Sequence, residues 1–139
     1  MKVRIDPADP YIPEGLNPDY PYRRLSVQGD PAEKLDLAFL AEGYTVEEAE
    51  EFYRDAYRLW KAILSTEPYK SLEKYINFWA VASVSEESGT DLPGRSVWKN
   101  TVINSNFYTF RSERYLTTED IKSVRDIAGI VPCDVICIL

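Results

Sequence analysis

A chain of 139 residues, 45% apolar and 28% charged, has the balance of a globular protein and is long enough for one domain with a core, so disorder is excluded as its general state. Sixteen basic against 23 acidic side chains leave a net charge of −7, which argues against nucleic acid and anionic membrane surfaces as partners. Histidine is absent, so neither a Ser/His triad nor a His-based zinc site can be built from these residues alone.

The opening MKVRIDPADPYIPEGL has a basic residue but no apolar stretch of the secretory kind. No apolar run along the chain approaches the roughly 18 residues of a transmembrane helix. Five prolines fall within residues 1–24 (Pro7, Pro10, Pro13, Pro18 and Pro21), among Tyr11, Tyr20 and Tyr22. Proline lacks a ladder donor and fixes its backbone, so residues 1–24 read as an extended arm or the end of a preceding domain, or alternatively as a proline-rich recognition ligand. The short basic clusters at Arg23-Arg24 and 111–114 read as ordinary surface.

Gly29, Asp30 and Pro31 signal a turn, and 35–41 (LDLAFLA) then read as a strand covered on both faces. Thr45 with Glu48 three residues on is a capping-box pattern. Phe52, Tyr53, Ala56, Leu59, Trp60 and Ile63 form an apolar stripe of helical period over about 46–65. Glu47, Glu50, Glu51, Arg54, Asp55, Arg58 and Lys61 lie on its other face, read as solvated. A second apolar strand spans 76–84, completing a βαβ unit whose strands should lie parallel with a right-handed crossover.

Residues 101–110 (TVINSNFYTF) suggest an edge or antiparallel strand. Thr117 with Asp120 marks another helix start, Ile121, Val124, Ile127 and Ala128 its apolar stripe, and Gly129 its stop. Residues 134–139 read as a third, buried strand. A domain seldom finishes on Val-Ile-Cys-Ile-Leu, so the expectation is a piece of a longer chain. On that strand Cys133 and Cys137 would share one face with α-carbons about 13 Å apart, too far for a disulfide, and act as buried apolar residues.

In open α/β sheets ligand sites gather at the carboxyl ends of parallel strands. Residues 42–45 and 85–91 meet there, the latter bringing Glu86, Glu87 and Asp91 with Gly89. Such carboxylates suit general acid/base work, hard-cation binding of the calcium type, or plain solvation and capping. Adjacent Glu86 and Glu87 would point apart on an extended backbone. No calcium-loop spacing, dinucleotide or phosphate loop, or GxSxG motif occurs.

LDLAFLAEGYT (35–45), SLEKYINFWAVASVSEESGTD (71–91) and NFYTF followed by RYLTTED (106–120) together resemble the bacterial IgA-peptidase family of zinc metallopeptidases, over about residues 25–139. The resemblance implies an α/β fold: a mostly parallel, βαβ-containing sheet with flanking helices, the incomplete N-terminal part of a zincin-like catalytic domain. It implies zinc held by an H-E-x-x-H helix whose glutamate activates the metal-bound water. That motif is not in these residues, so no catalytic residue or metal ligand is carried over, and the chain alone is expected to be inactive and without a cofactor. Glu42, Gly43, Tyr44, Ser85, Ser88, Gly89 and Asp91 match family-like positions as parts of the active edge. The implied partner is a protein or peptide substrate, and the implied location is secreted or at the cell surface. Two other readings stand beside it. One is a noncatalytic module binding protein or glycan through the 85–110 loop with Trp98, Phe107 and Tyr108, and the other a calcium-stabilised domain using Glu86, Glu87 and Asp91.

Overall fold

In the computed structural model, which describes residues 19–139, the elements in chain order are β1 (Tyr22–Ser26), β2 (Leu35–Leu40), α1 (Ala49–Leu64), α2 (Tyr69–Leu72), β3 (Ile76–Val81), α3 (Ile121–Ala128) and β4 (Val135–Ile138). The strands form one mixed sheet in the order β1-β3-β2-β4. β2 runs parallel to both β3 and β4, with Leu37 beside Phe78 and Val135, and β1 adds to β3 antiparallel. The fold is α/β with a mostly parallel sheet, as the βαβ pattern predicts.

Strict alternation explains why both faces are covered. Phe39 and Ala41 of the β2 segment, with Phe78, Ala80 and Ala82, face α1, whose Phe52, Tyr53, Ala56 and Trp60 complete that half of the core. Ala38 and Leu40, with Trp79 and Val81, face the other way against Ile103 and the α3 residues Val124, Ile127 and Ala128. Phe39, Phe52 and Phe78 are fully buried, each contributing about 1.5–3 kcal/mol relative to exposure.

Four expectations need correction. Residues 22–24 do not belong to an arm: β1 begins at Tyr22, directly after Pro21, and takes the outer edge, where proline's missing donor costs nothing. The rest of the proline-rich stretch, residues 1–18, lies outside the described residues. Residues 101–110 form no strand, because Asn104, Tyr108 and Phe110 have positive φ, which no strand accommodates. Isolated bridges from Asn106 to Asp91 and to Thr117 stand in its place.

The final strand is an edge and not a buried one, with Val135, Ile136 and Ile138 each more than a third exposed. The two cysteines, both free, do not share a face. Cys133 precedes β4 and packs with the α3 side of the core, whereas Cys137 packs with the α1 side. Burial raises both thiol pKa values, so neither is activated. Among the described residues no helix is long and apolar enough to cross a membrane.

Polar groups pin the amino ends of the strands. Asp36, almost fully buried, accepts hydrogen bonds from Asn77 Nδ2 (3.0 Å) and Trp79 Nε1 (2.7 Å) of β3, while its backbone N–H donates to the Asp134 carboxylate (2.9 Å). A buried carboxylate left without such partners would be costly. The opposite, carboxyl ends are left to the loops.

Candidate functional site

A cleft of about 440 Å³ opens at those carboxyl ends. It is lined by Glu42, Gly43 and Tyr44 after β2, by Ser88, Gly89 and Thr90 after β3, and by Ile138 and Leu139 of the β4 end. Glu48, Glu51 and Asp55 of the α1 region supply one wall, and Ser105 with 116–118 supplies another.

The capping pattern at Thr45 forms in part. The Thr45 N–H donates to Glu48 Oε2 (2.9 Å), so the glutamate half of the box is made, and the first helical residue is Ala49. Glu48 Oε1 accepts from the Ser88 hydroxyl at 2.9 Å, tying the helix start to the second loop. These bonds, the Thr45 amide first and the Ser88 hydroxyl second, hold the Glu48 carboxyl below its ordinary range. The Tyr44 hydroxyl donates to Asp55 Oδ2 at 3.0 Å. Burial first, then that hydrogen bond, pushes the Tyr44 pKa up to about 12, so the phenol stays protonated at neutral pH.

Glu42 is 8% exposed and gathers the far loop around itself. It accepts from the Thr101 hydroxyl (2.6 Å) and from the backbone N–H groups of Ile103 and Ser105 (2.9 Å each). Ser85 Oγ accepts from the N–H groups of Gly43 (3.1 Å) and Val102 (3.0 Å), and the Gly89 N–H donates to Gly43 O at 2.9 Å. The loops after β2 and β3 and the 101–105 segment are therefore laced together by main-chain groups.

Of the seven residues expected at the active edge, Glu42, Gly43, Tyr44, Ser88 and Gly89 border the cleft. Ser85 lies buried behind it, and Asp91 spends its carboxylate on the Lys99 N–H at 2.6 Å. Glu86 and Glu87 do not diverge: the chain bends here, and both carboxylates grip Asn100, Glu86 through the side-chain amide and Glu87 through the backbone N–H (2.7 Å). The acidic loop is thus a clasp on the 99–100 segment, its carboxylates bonded to N–H groups there and Glu87 also paired with the Lys99 ammonium at 3.6 Å.

The sequence reading missed the acidic wall of α1. The helical pattern puts Glu51 and Asp55 on a solvated face, yet Glu48, Glu51 and Asp55 stand three and four residues apart, which places them on one helix face beside the strand end. That spacing was the available signal. Thr117 and Thr118 had no comparable one, because their place at the cleft depends on the bridge between Asn106 and Thr117.

The residues present do not fit a zinc centre. Zinc takes tetrahedral sets of His, Cys and carboxylate ligands. The chain has no histidine, its cysteines lie on opposite sides of the sheet, and among the described residues no three acidic or cysteine side chains converge to hold a metal.

Comparison with known proteins bears on what such a cleft is for. A family model described as IgA Peptidase M64 matches residues 24–139. No curated protein matches the chain.

Proposed function

The chain belongs to the IgA peptidase M64 family, and from that premise we propose that residues 24–139 are the scaffold and one cleft wall of a zincin-like, zinc-dependent endopeptidase acting on protein substrates. The observation that carries this reading is the cleft at the carboxyl ends of β2, β3 and β4, the edge where an α/β sheet presents a site, in a chain matched almost throughout by a peptidase family. The zinc would be held by residues outside these 139, since those present do not fit it.

The parts of the site that are present act as architecture. Glu42, Ser85 and Asp91 fix loops, Gly43 and Gly89 allow two loops to touch, and Tyr44 and Ser88 join the loops to α1. On the same reading the site of action is proposed to lie outside the cell, secreted or at the cell surface. The noncatalytic module reading gains nothing comparable: Trp98 and Tyr108 are exposed and Phe107 is half-buried, but the family match points to a peptidase.

The test is proteolysis of a denatured protein by residues 1–139 and by the product of the same gene read through whatever follows codon 139. Cleavage by the longer product that a chelator abolishes, with none by residues 1–139 at any zinc concentration, is the expected result. Chelator-sensitive cleavage by the pure 139-residue chain overturns the assignment of the metal site, and a stop codon directly after Leu139 removes the zinc peptidase reading.

A further inference from the structure

The lining of the cleft is divided by charge. Its α1 wall carries Glu48, Glu51 and Asp55, no Lys or Arg among the described residues lines it, and Leu116, Ile138 and Leu139 supply apolar surface. The oxygens of Glu48 are occupied by the Thr45 amide and the Ser88 hydroxyl, and Asp55 accepts from Tyr44 and pairs with Arg58 at 3.0 Å. Glu51, exposed, makes no hydrogen bond or ion pair among the described residues, so its charge is uncompensated where it borders the cavity. A cavity lined by one sign of charge between low-dielectric walls concentrates the field on whatever enters it. A bare divalent ion is not the match, since no three carboxylates converge.

Resting on the peptidase reading, we propose that this cleft receives a basic side chain, Lys or Arg, of an extended polypeptide substrate. The cavity volume suits a side chain with its flanking backbone. A long basic side chain brings both chemistries the cleft presents, an alkyl stem for Leu116, Ile138 and Leu139 and a cation for Glu51 and Asp55. Glu51 is then a specificity-determining residue, with Asp55 its weaker second because Arg58 already offsets part of its charge.

Binding, not hydrolysis, is the readout. The 139-residue chain, amidated at Leu139 so that no terminal carboxylate borders the cleft, is titrated at low salt with two capped pentapeptides, one with a central lysine and one with norleucine, the same stem without the charge, while the Gly43 and Gly89 amides are followed by NMR. Partly exposed ion pairs support a preference for lysine of about five- to tenfold, falling to about twofold in roughly 0.5 M salt. Glu51→Gln should remove most of the preference and leave norleucine binding as it was, and Asp55→Asn should remove less. Equal affinities, a preference that survives both substitutions, or saturable binding of neither peptide overturns the proposal. Because no bond is cleaved in this experiment, its failure leaves the peptidase reading standing, and failure of the chelator experiment leaves a measured preference standing.

Discussion

Gly43 and Gly89 touch across the cleft base, and the contact is between backbones. Gly43 has a φ of +70°, and a methyl group on it would lie 2.1 Å from Gly89 O. Gly89 has a φ of +98° but open space where its methyl group would go. Gly43→Ala should therefore combine left-handed strain with a steric clash, a loss of about 3 kcal/mol, whereas Gly89→Ala carries the strain alone, about 1 kcal/mol. Urea denaturation of the two variants measures both, and equal losses would show that the close approach does not matter. The sequence shows that a glycine follows LDLAFLAE and ends a strand. That it must be glycine because another loop's carbonyl lies against it is invisible there, since the two residues are far apart in the chain.

At the scale of elements, α3 shows what local signals achieve. Of its apolar stripe Val124, Ile127 and Ala128 are buried while Ile121 is exposed, its Gly129 stop is as the pattern predicts, and Asp120 is the N-cap, accepting from the Ser123 N–H at 3.0 Å and the Ser123 hydroxyl at 2.7 Å. Thr117, the other expected cap residue, instead exchanges backbone hydrogen bonds with Asn106. Asp120→Ala should cost about 1 kcal/mol at neutral pH. The Ser123 amide, then its hydroxyl, holds the Asp120 carboxyl below its ordinary value of 3.8, so the stabilisation is complete above that pH and is lost as the pH falls through the lower folded-state value. The difference in stability between native chain and variant should shrink correspondingly in acid. A difference that stays constant from pH 7 to pH 2 would mean that the charge of the cap contributes nothing. The start of α1 was legible only in part: Glu48 reaches back to the Thr45 amide, but Thr45 is not the cap and the helix begins at Ala49, beyond the 46 that the apolar stripe suggests.

At the scale of the whole molecule, Glu42 is a buried group that holds the 101–105 loop to the end of β2. Glu42→Ala would leave the Thr101 hydroxyl and the Ile103 and Ser105 amides without their acceptor. Buried donors so orphaned cost on the order of 3 kcal/mol in total after the loop relaxes. Hydrogen exchange should locate the loss: the Ile103 and Ser105 amides should lose protection before those of β2 and β3. Uniform loss of protection would show that Glu42 supports the entire fold and not the 101–105 segment.

Periodicity and turn chemistry by themselves determined the β2-α1-β3 crossover, the α3 helix, the parallel pairing of β2 with β3 and the edge at which the cleft opens, because each depends on which residues repeat along a few turns of chain. The shape and sign of the cleft were decided only in three dimensions. Glu51 and Asp55 look like any solvated helix face until β2 and α1 set them beside Ile138 and Leu139, and the acidic 86–91 loop looks like chemistry until the bend delivers its carboxylates to Lys99 and Asn100. A carboxylate's role is set by which donors reach it, and here those donors come from segments that meet it only when the sheet has formed.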